Sequence, residues 1–212
     1  MGRSTIFTNF GSNFFKAEND MNILVILGSP RRNGNSETLA RTVVQELEQQ
    51  QTNSIEYIHL NKLQIRPCQS CGGCEKTSVC VIRDDMDALY EKVDAADRLF
   101  LVTPIYFYGP TAQCKTFIDR FQARWSRKYL LAKPFRQGED RKGYLLATAA
   151  TKGEKVFDAS LLIAKCFFDA VNMAFGGSLL VRSVDKAGVI QNRPEEMARA
   201  VAFGHDIVEG RV

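Results

Sequence analysis

Five short apolar segments alternate along the chain with stretches of helical periodicity. The first, Asn22–Leu27, is apolar after its opening residue, which is typical of a strand buried on both faces of a parallel sheet. The other predicted strands cover residues 55–60, 98–103, 143–149 and 178–184. Strands that alternate with helices predict a three-layer α/β fold with a parallel sheet and right-handed crossovers.

The segments between these strands carry apolar side chains at helical spacing. Asp84 and Asp85 suit an N-cap and first turn, and Pro110 suits the first turn of another helix. The predicted helices cover residues 36–50, a segment after Asp85, a segment from Pro110 to Trp125, and residues 156–175 and 194–209. A chain of 212 residues that is 45% apolar is long enough for one domain with a sizeable core.

Charge and hydropathy exclude several functional classes. The net charge of +4 is modest, and no basic stripe suited to nucleic acid is visible. One basic group, expected to form a solvated face or a subunit contact rather than a phosphate site, comprises Arg120, Arg124, Arg127 and Lys128. No stretch approaches 18 continuous apolar residues, so no membrane span is expected.

The first residues lack the apolar core of a signal peptide, so we expect a reducing, cytoplasmic location. Residues 1–20 are polar and irregular in pattern. We therefore expect an N-terminal extension at residues 1–20 followed by a single folded domain at residues 21–212.

Four of the six cysteines fall within thirteen residues with the spacing C-x2-C-x2-C-x5-C. They are Cys68, Cys71, Cys74 and Cys80, in a loop at about residues 66–83. Four thiolates complete a [4Fe–4S] cubane. Zinc sites usually combine two separated C-x2-C pairs or mix cysteine with histidine, and neither His59 nor His205 is near this loop. The spacing favours an iron–sulfur cluster, with no metal or a zinc ion as the alternatives.

The other two cysteines, Cys114 and Cys166, occur on the apolar faces of predicted helices. We expect both to pack in the core rather than to take part in chemistry.

The loop after the first strand has neither a dinucleotide-binding fingerprint nor a P-loop. It offers hydroxyl, amide and guanidinium groups beside Gly34, at the start of a helix. The candidate ligands are Ser29, Arg31, Asn33, Asn35 and Ser36. Such a loop suits a single phosphate, because helix N-termini bind anions. The alternative is a polar turn with a helix cap.

A second loop, after the third predicted strand, contains three consecutive aromatic residues, Tyr106, Phe107 and Tyr108. Ligands of open α/β sheets bind beyond the carboxyl ends of the strands. The loop is therefore a candidate to flank a flat ring, or else a hydrophobic cover or a dimer contact.

The motifs occur in the order G-S-P-R-x-x-G-N-S, C-x2-C-x2-C-x5-C, D-D-M and T-P-I-Y-F-Y-G-P. This order resembles the iron–sulfur flavoproteins, within the larger family of flavodoxin-like NAD(P)H-dependent FMN reductases. The resemblance extends from about Met21 to the last predicted strand. It implies a flavodoxin-like three-layer sandwich with a five-stranded parallel sheet in the order 2-1-3-4-5, and noncovalently bound FMN.

The resemblance also implies roles for individual residues. The FMN phosphate would be held by Ser29, Arg31, Asn35 and Ser36. The ribityl chain and the isoalloxazine would be lined by Thr103, Pro104, Ile105, Tyr106 and Phe107. A third flavin loop, matched loosely, would contribute Thr151 and Gly153. The [4Fe–4S] cluster would be ligated by Cys68, Cys71, Cys74 and Cys80.

The resulting functional hypothesis is an FMN-binding redox protein that passes electrons between a reduced donor and an acceptor through the cluster. NAD(P)H is a candidate donor. One alternative is a cluster-free NAD(P)H-dependent FMN or quinone reductase, and another is a non-enzymatic carrier that exchanges electrons with proteins such as ferredoxin. No nucleophile with a base and an orienting group is visible, so no catalytic residue is assigned. The resemblance suggests a homodimer or homotetramer.

Overall fold

The computed structural model describes residues 21–50 and 53–212; the predicted extension at residues 1–20 lies outside them. Five parallel strands form one sheet in the order β2-β1-β3-β4-β5, so the predicted sheet and its order are confirmed. The strands are β1 (Asn22–Leu27), β2 (Ser54–His59), β3 (Arg98–Pro104), β4 (Lys142–Thr148) and β5 (Ala174–Val181).

Seven α-helices flank this sheet in the described part of the chain. They are α1 (Asn35–Gln50), α2 (Gly73–Thr77), α3 (Met86–Ala95), α4 (Ala112–Arg120), α5 (Gln122–Trp125), α6 (Asp158–Ala170) and α7 (Pro194–Val208). Shorter helical turns cover Leu60–Lys62, Ser126–Leu130 and Val189–Asn192. None of the helices within the described ranges is both long and apolar enough to cross a bilayer.

The two faces of the sheet form separate hydrophobic cores because successive side chains of a strand point to opposite faces. Leu24 and Ile26 of β1 pack in one core with residues of α3, α4 and α6. Ile23 and Val25 of the same strand pack in the other core with residues of α1 and α7. The predicted three-layer arrangement is therefore confirmed.

The boundary between α6 and β5 differs from the prediction. The sequence predicts a helix over residues 156–175 and a strand over residues 178–184, but α6 ends at Ala170 and β5 begins at Ala174. Asn172, with a φ of 55°, turns the chain between them. Apolar residues lie on both sides of Asn172, and one polar residue among them does not interrupt the apolar pattern enough to predict the turn.

The helix predicted from Pro110 to Trp125 is also interrupted. Pro110 precedes the helix, and Thr111 caps it because its hydroxyl accepts a hydrogen bond from the Cys114 N–H at 3.3 Å. The helix breaks at Phe121, whose ring packs edge-on against Phe117 with a centroid distance of 4.9 Å. By contrast, the predicted start of α3 is confirmed by a cap that the Asp84 carboxylate provides.

The basic group near α5 is not the solvated face that the sequence predicts, because its members pair within the chain; the alternative, a subunit contact, stays a prediction. Arg120 is 1% exposed and pairs with Asp84. The Arg124 guanidinium lies 2.7 Å from the carboxylate of Asp94. Two further ion pairs within the chain are Arg127–Asp94 and Lys128–Asp169. These partners are distant in sequence, so local pattern does not reveal them.

The two isolated cysteines have different environments. Cys114 is fully buried in the core beside the sheet, as predicted. Cys166 is exposed on α6, so the prediction that it packs in the core was wrong. The outer face of α6 also carries Asp158, Lys165 and Asp169, and the helical spacing of these charges could have placed Cys166 on that face.

Candidate functional site

The loop between β1 and α1 is ordered by its own polar groups. Ser29 Oγ accepts a hydrogen bond from the Arg31 N–H at 3.1 Å, and Glu37 Oε2 accepts one from the Asn33 N–H at 2.8 Å. Asn33 has a φ of 51°, a left-handed conformation that asparagine tolerates. The loop thereby brings Ser36 to the start of a sixteen-residue helix, where backbone N–H groups attract anions.

The carboxylate of Glu37 is buried beneath this loop. Burial raises its pKa, but hydrogen bonds from Arg41 and from the Asn33 N–H outweigh that effect and hold the pKa below its usual range. The nearby His59 imidazole has its pKa lowered by burial, which the Glu37 charge only partly opposes. The Arg41 cation compensates the Glu37 charge, so the carboxylate is compatible with an anion site at the helix start.

A cavity of about 80 Å³ opens at the carboxyl ends of the central strands; we call it the strand-end cavity. Seven of the eleven residues predicted to bind the cofactor line it, namely Ser29, Arg31, Asn35, Ser36, Pro104, Ile105 and Tyr106. Phosphate-binding and ring-flanking candidates therefore meet in one place, as a mononucleotide requires.

The other four predicted residues are not part of its lining. Thr103 is buried, and its hydroxyl accepts a hydrogen bond from the Thr111 N–H at 3.2 Å, so it fixes the turn after β3. Phe107 is fully exposed with a φ of 48°. Thr151 is exposed, whereas a Cβ added to Gly153 would lie 3.3 Å from the Tyr108 hydroxyl. The third loop thus approaches the aromatic loop beside the cavity.

The segment after β5 closes the strand-end cavity on a third side, and no sequence pattern predicted it. The residues that line the strand-end cavity but were not predicted to bind the cofactor are Gly34, Thr148, Ala150, Val184, Asp185 and Ala187. Asn35 Nδ2 donates a hydrogen bond to the Lys186 carbonyl at 2.9 Å, and Asn35 Oδ1 accepts one from the Ile190 N–H at 3.2 Å. The Asn35 amide therefore holds this segment in place, about 150 residues away along the chain. No local sequence motif predicts that contact.

The start of α4 is fixed against the end of β1. The Thr111 hydroxyl donates a hydrogen bond to the Gly28 carbonyl at 2.5 Å. A Cβ at Gly28 would lie 2.9 Å from the Cβ of Cys114, so only glycine permits this approach. The aromatic loop is held beside the loop after β1 as a result.

A second cavity, of about 310 Å³, is lined by all four clustered cysteines; we call it the cysteine cavity. Cys68 and Cys71 are exposed, whereas Cys74 and Cys80 are half-buried and pack against the core. The remaining wall comes from the end of α4 and from α5, including Arg120 and Gln122. The sequence predicted the four thiols but not the wall behind them.

Arg120 and Asp84 close the base of the cysteine loop, which spans about residues 66–83. Arg120 donates hydrogen bonds to the carbonyls of Arg66 and Ile82 at 2.8 and 3.0 Å, one near each end of the loop. It also contacts Asp84 at 2.6 Å, and Asp84 accepts a hydrogen bond from the Arg66 N–H at 3.0 Å. Burial raises the pKa of Asp84, but these hydrogen bonds outweigh it and hold the pKa below its usual range.

Four thiols line the cysteine cavity, and four thiolates are the ligand number of a [4Fe–4S] cubane. No three His, Cys, Asp or Glu side chains within residues 21–50 and 53–212 are arranged to hold one metal ion. A zinc ion needs thiolates about 2.3 Å from the metal, whereas a cubane is larger and its ligands stand further apart. Burial raises the pKa of Cys74, an effect opposed by a contact with the Ser126 hydroxyl at 3.8 Å.

A buried polar atom at the same wall has no partner. The Nε of Arg120 makes no hydrogen bond to any residue in the described ranges.

The helix α4 connects the end of β1 with the cysteine cavity. Thr111, just before its first residue, contacts the end of β1, and Arg120, its last residue, lines the cysteine cavity. Nine helical residues span about 13 Å.

Solved structures share this architecture at low sequence identity. An NAD(P)H:quinone oxidoreductase from Methanothermobacter marburgensis superposes with a TM-score of 0.59 at 17% identity, covering 89% of this chain and 97% of that one. An FMN-dependent NADH-azoreductase from Bacillus anthracis, solved with FMN, gives a TM-score of 0.60 at 12% identity, covering 88% and 99% of the two chains. At this identity the likeness establishes the fold, and the predicted flavodoxin-like sandwich is confirmed.

Curated relatives match more strongly, although the chain spans only about half of their length. An iron–sulfur flavoprotein of Archaeoglobus fulgidus is 39% identical over 113 residues, which is 53% of this chain and 51% of the relative. One from Methanosarcina thermophila is 35% identical over 47% of this chain and 52% of its own. A putative NAD(P)H-dependent FMN-containing oxidoreductase of Bacillus subtilis is 33% identical over 48% and 52%, respectively.

A sequence profile of the NADPH-dependent FMN reductases matches residues 21–174. The matched region contains β1 to β4, the loop after β1, the cysteine loop and the aromatic loop. Because this region is most of the chain and has the topology described above, the chain belongs to the NADPH-dependent FMN reductase family.

Proposed function

We propose that the protein is an oxidoreductase that binds FMN in the strand-end cavity and a [4Fe–4S] cluster in the cysteine cavity. The observation that carries the proposal is the meeting of all four clustered cysteines around one cavity. Bound FMN exchanges two electrons or one, and a [4Fe–4S] cluster exchanges one, so together they connect a two-electron donor such as NAD(P)H with a one-electron acceptor.

Different residues of the strand-end cavity suit the phosphate and the flavin ring of FMN. Arg31, Ser29 and Ser36 supply the charge and the donors for the phosphate at the helix start. Ile105 and Tyr106 offer an apolar and an aromatic side to the flavin. Thr103, Phe107, Thr151 and Gly153 complete the proposed set as supports and covers around the cavity. The chain's own contribution is to position FMN and to limit its exposure to water.

Replacing Arg31 with methionine is expected to weaken FMN binding about tenfold to a hundredfold. The reason is that a charge-assisted hydrogen bond is worth about 1.5–3 kcal/mol. Titration of FMN into the apoprotein, followed by flavin fluorescence, measures the dissociation constant. Arg32→Met is the matched control, because Arg32 is exposed and is not part of the cavity lining. Equal affinities for the two variants would remove Arg31 from the proposed phosphate site.

The proposal is tested by the iron, acid-labile sulfide and FMN content of protein purified without oxygen. We expect about four irons, about four sulfides and one FMN per chain, with a visible spectrum that contains both chromophores. FMN without iron or sulfide, persisting after reconstitution with both, would instead support a cluster-free NAD(P)H-dependent FMN or quinone reductase. The likeness to the Bacillus subtilis protein and the exposure of Cys68 and Cys71 favour that second candidate.

Kinetic measurements distinguish a third role, that of an electron carrier, from the two enzymatic candidates. Steady oxidation of NADH or NADPH by the FMN-loaded protein supports an enzyme. Rapid electron exchange with a ferredoxin and no nicotinamide oxidation would identify a carrier.

A further inference from the structure

We infer that residues 1–20 bind in an apolar groove on the outer surface of the same chain, between α4–α5 and α6. We call it the outer groove. The inference concerns a surface that neither proposed cofactor needs, so it does not depend on the proposed function. Binding there would give the segment before β1 the role of a cover for this side of the domain.

The outer groove has a volume of about 370 Å³, and most of its lining is apolar. Phe121 and Phe167 close its floor, because both are buried and their rings meet edge-on with a centroid distance of 5.1 Å. Trp125 and Leu162 line it as well and are 38% and 66% exposed. The other apolar lining residues are Ile118, Ile163, Cys166 and Ala170. Contiguous exposed apolar surface of this kind is typical of a binding site.

The segment before β1 joins the domain near one end of the outer groove. Asn22 Nδ2 donates a hydrogen bond to the carbonyl of Ala95, the last residue of α3, at 3.3 Å. The neighbouring Asp94 carboxylate lies 2.7 Å from the guanidinium of Arg124, and Trp125 follows Arg124 in the chain. A short series of contacts therefore connects the start of β1, through the end of α3, with the Trp125 end of the groove.

The sequence of this segment suits an apolar groove. It is polar overall, but five large apolar residues fall within ten positions, namely Ile6, Phe7, Phe10, Phe14 and Phe15. Removing phenylalanine from water is favourable in proportion to its large apolar area, and the same holds for the exposed lining. An extended chain from Phe15 to Met21 spans about 20 Å, enough to pass the end of α3 and reach α5.

Occupancy of the outer groove would also affect the neighbouring cysteine cavity. Asp119 and Gln122 line both of them, so the two adjoin along α4 and α5. A segment bound in the groove would lie beside that shared wall and reduce the solvent-exposed surface around it.

Two side chains of the groove report its occupancy in the full-length protein. Cys166 is exposed in the described part of the chain, and its alkylation by iodoacetamide is followed by mass spectrometry of the peptide that contains it. Trp125 is the single tryptophan of the chain, so acrylamide quenching of its fluorescence measures its exposure. A bound segment covers both side chains, so wild-type protein should show slow alkylation and weak quenching.

One variant removes the proposed occupant by combining Phe7→Ser, Phe10→Ser and Phe14→Ser. We expect its Cys166 to be alkylated about tenfold faster than in wild type, the change expected if about ten in eleven chains hold the segment in the groove. Quenching of Trp125 should increase in parallel. The matched control combines three polar replacements in the same segment, Thr5→Ala, Thr8→Ala and Asn13→Ala, and should keep the wild-type rate.

A second variant, Leu162→Gln, alters the groove and keeps the test decisive if the first variant does not fold. Leu162 is largely exposed, so its replacement should leave the fold intact, and a neutral residue does not change the reactivity of the nearby thiol by charge. Alkylation of Cys166 should again accelerate, and combining both sets of changes should add nothing further. Leu130→Gln is the control, because Leu130 is 50% exposed and does not line the groove.

Three results would overturn the inference. Wild-type Cys166 that reacts as fast as in the phenylalanine variant would mean that the groove is open. Protection that survives the phenylalanine replacements and falls on dilution would identify a second copy of the chain as the occupant. Protection that needs the phenylalanines but falls on dilution would place the segment on a neighbouring chain. The iron, sulfide and FMN assays are separate measurements, so none of these results decides the proposed function.

Discussion

Protein with Cys71 replaced by alanine is expected to retain FMN and lose its iron. A [4Fe–4S] cubane needs four ligands, and Cys71 is the second of the four cysteines around the cavity. The strand-end cavity shares no lining residue with the cysteine cavity, so FMN binding has no reason to change. Iron, sulfide and FMN are measured per chain after anaerobic purification, and iron should fall from about four atoms to well below one.

The matched control is Cys166→Ala. Cys166 is exposed on α6 and does not line the cysteine cavity, so this variant should keep the wild-type iron content. Wild-type iron in Cys71→Ala would rule out the assignment of Cys71 as a ligand. Equal iron loss in both variants would point to a general sensitivity of the fold to cysteine replacement.

Removal of the Asp84 side chain has the largest expected effect on stability. Asp84→Ala should lower the free energy of unfolding by about 3–5 kcal/mol at pH 7, because it leaves the buried Arg120 cation without its carboxylate. The same change removes the cap of α3 and the acceptor for the Arg66 N–H. Urea unfolding of the metal-free protein, followed by circular dichroism, measures the loss.

Asp87→Ala is the control for this prediction. Asp87 lies three residues further on, and its ion pair with Arg83 is exposed. Such pairs contribute about 1 kcal/mol or less. Losses of similar size in the two variants would show that the Asp84–Arg120 pair does not stabilise the fold more than a surface pair does.

The difference in the free energy of unfolding between wild type and Asp84→Ala should depend on pH, because the pKa of Asp84 is lowered in the folded state. A carboxyl group whose pKa is lower in the folded state stabilises the protein above its unfolded pKa, about 3.9 for aspartate. That stabilisation is lost as the pH falls through the folded-state pKa. The difference between wild type and Asp84→Ala should therefore narrow below about pH 4.

Local patterns were sufficient for the elements that carry the sites. The continuous apolar run of β1 and the polar residues after it are adjacent in sequence, and so are the four cysteines. The order of the strands, by contrast, came from the resemblance of the motifs to a known family. Periodicity failed at Asn172, where a single polar residue turns the chain between two apolar segments.

The walls of both sites depend on contacts between distant parts of the chain. Asn35 binds the segment after β5, and Arg120 pairs with Asp84 across 36 positions. No residue spacing or local composition predicts either contact, because these residue types also occur commonly on surface helices. Only the folded chain shows that these residues organise the two cavities.

The closed base of the cysteine loop affects whether the domain would stay folded if the proposed cluster were lost. Hydrogen bonds from Arg120 hold both ends of the loop without any help from a metal, unlike the zinc fingers that unfold when metal is removed. We therefore expect chelation of iron to leave the thermal unfolding of the domain nearly unchanged. A chain that has lost the proposed cluster would remain a folded recipient, so repair would need iron, sulfide and a reductant for the oxidised thiols rather than a newly synthesised protein.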